Sequence, residues 1–254
     1  MEHEIEWMKL TAAELNARAA VDALVIVPVA SLEQHGPHLG TGVDIVCCTG
    51  VAHATARRLL AMGQGVVVTP CVWTGLAEHH VAFGGTVTLD YATFAAVLRG
   101  VVRSAVRAGF KRVMLLNGHG GNAEAVAVAG SEFSVEFGIS VAAGTYWHLV
   151  PEVIGPILER QPGLMHACEA ETSMMMALLP EAVRRERLAE AHGPASSRAE
   201  GQPATLFRRK SFREITPSGV IGDARVATAE KGEKLLAAVS ERIAQHLASP
   251  KLWS

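Results

Sequence analysis

The sequence predicts an α/β fold: a mostly parallel sheet with helices on both faces. Two observations carry this. Four short apolar runs, at 23–29, 66–70, 111–117 and 139–146, read as buried strands. The segments between them place apolar residues at helical spacing, and strand–helix alternation of this kind builds parallel sheets. A third observation sets the organisation. No repeat, low-complexity tract or linker divides the 254 residues, so a single domain over 1–254 is expected.

In chain order, residues 6–20 read as a helix, with Thr11 placed to cap Ala12-Ala-Glu14. The strand ending at Val29 leads into the loop Ser31-Leu-Glu-Gln-His-Gly-Pro-His-Leu-Gly-Thr-Gly-Val-Asp44. A helix then runs from Asp44 to Met62-Gly63, where glycine is a natural stop. After the second strand comes a glycine-rich loop, Trp73 to Thr86, whose length and polarity suggest function. Within it His80 reads as a solvated tip. Asp90 caps a helix with the stripe Phe94, Val97, Leu98, Val101, Val102 and Ala105, ended by Gly109. The third strand ends at Asn117, and Asn122 is placed to cap a helix running to Phe137-Gly138. After the fourth strand the pattern loosens until a helix from Glu169 to Leu179-Pro180. Its Met174, Met175 and Leu178 are packing residues. Residues 190–222, rich in Gly, Pro, Ser and charge, read as a surface excursion or a subunit contact. A last amphipathic helix spans about 227–247.

Composition excludes several classes of function. With 49% hydrophobic and 19% charged residues, the chain is not disordered. A net charge of −2 offers no basic patch for nucleic acid or an anionic membrane surface. The apolar runs are too short to span a bilayer, and the acidic start, Met1-Glu-His-Glu, does not resemble a signal peptide. Cys47, Cys48, Cys71 and Cys168 have no CxxC spacing and read as packed thiols in a reducing, cytoplasmic setting.

Chemistry concentrates in loops that follow strands, where open α/β sheets keep their ligands. The first loop carries Glu33, His35, His38 and Asp44, which suit a metal ion or an ordinary polar loop. Asn117-Gly-His-Gly-Gly-Asn122 puts His119 at a strand end, among glycines that admit close backbone approach and leave N–H groups for an anion. His166-Ala-Cys-Glu-Ala-Glu171 places a histidine and two carboxylates before an apolar helix; either Glu alone would be explained by the helix dipole. Taken together, Glu33, His35, Asp44, His119 and a Glu from 169–171 supply N/O ligands for two divalent ions. Such a pair acidifies water, and a remaining His and Glu can carry the proton to a leaving nitrogen. Metal-assisted hydrolysis is the expectation.

At these residues the chain resembles the creatininase (creatinine amidohydrolase) family, in the subgroup with an Asn-Gly-His-Gly-Gly-Asn motif. Glu33-Gln-His-Gly-Pro-His-Leu39 with Asp44, residues 117–122 and Glu171-Thr-Ser173 look like its signatures. Glu78-His79, Phe83-Gly-Gly-Thr86 and 222–232 resemble its weaker motifs. The resemblance implies a three-layer α/β/α fold, a homohexamer, and two divalent ions, Zn or Mn, with Fe also suited. The reaction it implies is hydrolysis of a C–N bond in a small polar amide, cyclic amides included. It places Glu33 and His119 on one ion and His35 on the other, with Asp44 bridging. It gives His166 the catalytic proton, with Glu171 in support, and places Glu78, His79, Gly120 and the lid-like Trp147 around the substrate. The departures are specific. Creatininase has Tyr and then a metal-binding Glu where this chain has Gly120 and Gly121, so Glu169 is expected to supply the missing bond, with Glu171 the alternative. Pro162 replaces a stacking Trp, so creatinine itself is not the expected substrate. Cys168 stands where glycine is usual, without an evident reason. A formamide deformylase or a peptidase of the family, and a non-catalytic metal-binding assembly protein, are the other readings.

Overall fold

The computed structural model describes residues 4–197, 206 and 208–254. Part of the 190–222 excursion, namely 198–205 and 207, therefore lies outside the described residues, as do residues 1–3 of the acidic start.

Four parallel strands form one sheet in the order β2-β1-β3-β4: β1 is Leu24–Val29, β2 Val66–Val68, β3 Arg112–Asn117 and β4 Ser140–Thr145. Val25 is in register with Val67 on one side and Val113 on the other, and Asn117 pairs with Thr145. Every residue of β1 is buried. Alternate side chains serve different layers, which is why the strand reads as a continuous apolar run. Leu24, Ile26, Met114 and Leu116 face one core, and Val25, Val27, Val113 and Leu115 the other.

Helix α1 (Ala12–Ala20) opens with the expected Thr11 cap: Glu14 N–H donates to its hydroxyl at 3.3 Å, and Thr11 N–H donates back to the Glu14 carboxylate at 2.7 Å. The residues before it form only a short 3₁₀ turn, Trp7–Lys9. Helices α2 (Val43–Ala61), α3 (Tyr91–Arg107) and α4 (Ala123–Phe137) follow, with Asp90 capping α3 as expected. Short helical turns α5 (Tyr146–Leu149) and α6 (Pro151–Ile154) lead to α7 (Glu169–Leu178), α8 (Phe212–Ile215) and α9 (Ala229–Ala248). The α3 stripe of Phe94, Leu98, Val102 and Ala105 packs on one face of the sheet with Val126, Ala129 and Phe133 of α4. The other face is covered by α2, α7 and α9, whose Cys47, Val51, Met174, Met175, Leu235 and Val239 share one core. The sheet is thus the middle of three layers.

Strand β1 sits between β2 and β3, so the chain leaves it to one side for β2 and returns on the other for β3. That reversal opens a crevice at the carboxyl ends of β1 and β3. The loop after β1 carries Glu33 and His35 and leads to Asp44 in the first turn of α2, and the loop after β3 carries His119. Among the described residues no helix is long and apolar enough to cross a membrane.

Candidate metal centre

The crevice brings both loops together with the start of α7. Glu33, His35, Asp44, His119 and Glu171 are all at most 4% exposed. Asp44 is the hub. One of its oxygens, Oδ1, lies 3.1 Å from His35 Nε2, and the other, Oδ2, lies 3.1 Å from His119 Nδ1. Glu33 Oε2 is also 3.1 Å from His119 Nδ1, and Glu171 Oε2 is 3.9 Å from His35 Nε2. Glu33, His119 and Asp44 Oδ2 therefore make one group, and His35, Asp44 Oδ1 and Glu171 a second, joined through a single carboxylate.

The hydrogen bonds around these groups suit metal binding. His35 Nδ1 faces the Glu33 carbonyl at 3.2 Å, and His119 Nε2 faces the Leu76 carbonyl at 3.2 Å. A carbonyl only accepts, so each ring carries a proton there and turns its other nitrogen, the one a cation would use, to the centre. Ligating histidines are usually held in this way. Meanwhile both oxygens of Glu33, Asp44 Oδ2 and His35 Nε2 are buried without a hydrogen-bond partner. Buried polar atoms are rarely left so, and a cluster of such atoms in an N/O donor set fits divalent cations.

Electrostatics point the same way. Burial, with the Asp44 charge adding to it, pushes the Glu171 carboxyl up to about 8, and burial raises Glu33 as well. Burial pulls His35 down, but the Asp44 carboxylate more than reverses this and its pKa stands at about 9. His119 is raised for the same reason, by Glu33 and Asp44 against burial. Glu33, Glu171, His35 and His119 are thus disposed to hold protons that a cation would displace, while His35 and His119 keep the Asp44 pKa low despite its burial.

The backbone explains how the residues are held. Asn117 clamps His119 from both sides: its Nδ2 donates to the His119 carbonyl at 2.6 Å, and its Oδ1 accepts the His119 N–H at 3.2 Å. A Cβ at Gly121 would fall 2.4 Å from the Leu76 carbonyl oxygen and 2.5 Å from His119 Nε2, so glycine is required beside that ring. Ala167 adopts a left-handed φ of 53° and turns its N–H onto Glu171 Oε2 at 2.5 Å. Asn122 does not cap α4. Its side chain instead accepts from Leu76 N–H at 2.9 Å and donates to the Ala30 carbonyl at 3.1 Å, tying the site loops together.

Two further expectations need correction. Glu169 is buried, but its carboxylate faces away from the cluster. It accepts from Lys231 Nζ at 2.6 Å and from the N–H groups of Glu159 and Arg160 at 3.0 Å, so its valences are taken. Helix geometry is the reason: residues two apart point to well-separated sides, so Glu169 and Glu171 cannot both face the crevice. His80 is no solvated tip. It is 1% exposed, with Nε2 3.2 Å from Glu33 Oε1.

The other expected residues fall around the cluster. His166 reaches it with Nδ1 3.7 Å from Glu33 Oε1, and burial, aided by the nearby His35, holds its pKa well below the ordinary value. The His79 ring stacks over His119 at 5.6 Å. Gly120 is exposed with open space beyond its Cα. Glu78 is exposed and paired with Arg209 at 3.6 Å. Trp147 is half-buried against the α2–α7–α9 core, its ring beside Tyr146 and His148. Sequence reasoning missed Gln34 and Phe212. The Phe212 ring, from the supposed excursion, lies 4.1 Å from His80 and 4.7 Å from His166. Gln34, between two ligand-type residues, was the one with a sequence signal.

A family profile described as creatinine amidohydrolase matches residues 8–247. The chain belongs to the creatininase family. This member is 32% identical to the creatinine amidohydrolase of Pseudomonas putida over 256 residues, covering 93% of each chain. It is 31% identical to a mycofactocin precursor peptide peptidase of Mycobacterium ulcerans (strain Agy99), covering 84% of this chain and 80% of the peptidase. A crystal structure of creatininase superposes with a TM-score of 0.81 at 28% identity, covering 96% of both chains, and solved creatininases include an Mn form and a Zn-Zn form.

Proposed function

We propose that this creatininase-family chain, as one domain over 1–254, is a dinuclear metal-dependent amidohydrolase that cleaves a C–N bond in a small polar amide. The observation that carries the reading is Asp44, whose two oxygens face two differently placed histidines, each already oriented with one nitrogen toward it and the other on a carbonyl. Glu33, His119 and Asp44 would hold one ion, and His35, Asp44 and Glu171 the other. Glu171 thus takes the place first given to Glu169. The N/O set suits Zn or Mn, the metals of the solved creatininases, as well as Fe. Bound there, the ions would polarise the amide carbonyl and acidify water.

The chain's own residues do the rest. His166, neutral and only 13% exposed at its side chain, takes the proton of the nucleophile at Nδ1 and returns it to the leaving nitrogen. His79 and Phe212 form a wall beside it, and Glu78 and Trp147 stand further out. Gly120 borders open space, next to the Gly121 that packs on the His119 ring. That feature favours a second reading in which the amide belongs to a short peptide, as in the mycobacterial relative. We assign the protein to the cytoplasm, supported by its four free thiols. A homohexamer belongs to the same proposal. The exposed Trp73 and Val87, on segments bridged to the chain after β1, and the exposed Tyr91 at the start of α3 offer surface for it to cover, and light scattering checks it. The test of function is hydrolysis of cyclic amides, formamides and short peptides after loading with Zn or Mn. Turnover of none of these classes by fully loaded protein would reject the reading.

A further inference from the structure

Gln34 lies between Glu33 and His35, is 7% exposed, and has no place in the metal set. Its amide orientation is fixed by two backbone groups. Oε1 accepts from Gly36 N–H at 2.9 Å, and Nε2 donates to the Gly219 carbonyl at 3.2 Å. The seat is tight: a Cβ at Gly219, whose φ is 79°, would fall 2.2 Å from Gln34 Oε1.

With oxygen and nitrogen assigned, the protons of two histidines follow. His166 Nε2 lies 2.9 Å from the main-chain carbonyl of Gln34, which only accepts, so that nitrogen carries a proton. Gln34 Nε2, although 3.0 Å from His166 Nε2, therefore has no acceptor there. Its second hydrogen goes to His80 Nδ1 at 2.9 Å, which must be unprotonated. The His80 proton then sits on Nε2, 3.2 Å from Glu33 Oε1. Phe212 packs on both rings and screens them from water.

We propose that Gln34 is a positioning residue that sets both tautomers at once. Its side chain makes His80 a fixed Nε2–H tautomer facing Glu33, and its carbonyl leaves the His166 Nδ1 lone pair facing the site. The nitrogens of His80 and His166 approach Glu33 closely enough to suggest a third metal group. With a proton on Nε2, His80 instead turns an N–H, not a lone pair, toward Glu33 Oε1 at 3.2 Å, and so stands beside the Glu33 and His119 pair rather than as a ligand itself. The part concerning His166 as base rests on the proposed hydrolase reading; the tautomers do not.

Long-range ¹H–¹⁵N NMR of the imidazoles, on metal-free and Zn-loaded protein, reads the tautomers without substrate. His80 and His166 are both expected as Nε2–H forms in either state. In Gln34→Glu a carboxylate meets His80 Nδ1 and draws the proton to it. His80 then switches tautomer, and Zn affinity falls roughly 10–100-fold, as for other lost outer partners of ligands. Gly219→Ala, which unseats the amide, should give the same loss, while His80→Gln, which can still turn an N–H toward Glu33, should largely retain affinity. A wild-type His80 protonated at Nδ1, or one whose Nε2 signal shifts as a ligand on Zn addition, overturns the proposal. So does a Gln34→Glu variant with unchanged tautomers. Absence of turnover with these tautomers intact would count against the hydrolase reading alone.

Discussion

Glu169→Gln separates a structural carboxylate from a metal ligand. In the folded chain Glu169 is fully buried at the start of α7, bonded to Lys231 and to two backbone N–H groups of the 159–160 turn. Removing one partner of a buried ion pair costs about 3–5 kcal/mol, because the other charge is left uncompensated. Here Lys231 keeps Glu159 at 2.5 Å and is 12% exposed. The cost therefore falls at the lower end, about 3 kcal/mol. For a chain of this size each kcal/mol moves Tm by about 2–4 °C, so metal-free protein should melt roughly 6–12 °C lower. Metal content by elemental analysis should stay at the wild-type value. A variant that keeps its Tm and loses an ion would refute the assignment and restore Glu169 as a ligand.

Glu171→Gln should do the reverse, lowering bound metal from two ions to one with at most a small loss in Tm, since it removes the acid that faces His35. Gly121→Ala should destabilise by about 1–3 kcal/mol through overpacking against the Leu76 carbonyl and His119. Wild-type denaturant midpoints and Zn affinity in that variant would contradict the clash. Metal affinity should rise with pH. Metal-free His35 has its pKa raised from 6.5 to about 9, so its proton stabilises the fold fully below 6.5 and this contribution is lost as pH rises through 9. An ion must displace that proton, so calorimetry should show proton release and tighter binding across this window. His166→Gln should keep the metal content and slow turnover by about 10²–10⁴-fold; unchanged turnover would remove it as the proton carrier.

Much of the fold was legible locally. β1 throughout and β3 from Val113 to Leu116 are apolar because both faces are covered, and Thr11 and Asp90 announce their helices by capping them. Glu33, His35, Asp44 and His119 were legible for a related reason: Glu33, His35 and His119 sit a few residues beyond a strand, Asp44 opens the helix that follows, and the strand order brings those strand ends together. What the sequence determined by itself was therefore the layer architecture and the stock of ligand-type residues. The tertiary structure decided the rest. Helix phase turned Glu171, not Glu169, into the crevice, and Lys231, sixty-two residues along the chain, met Glu169 instead. His80 became buried because Phe212 packs on it from a segment more than a hundred residues away. Capping and strand burial are encoded within a few residues. The direction of a side chain at a shared site depends on which distant groups arrive to meet it, and local sequence carries no record of that.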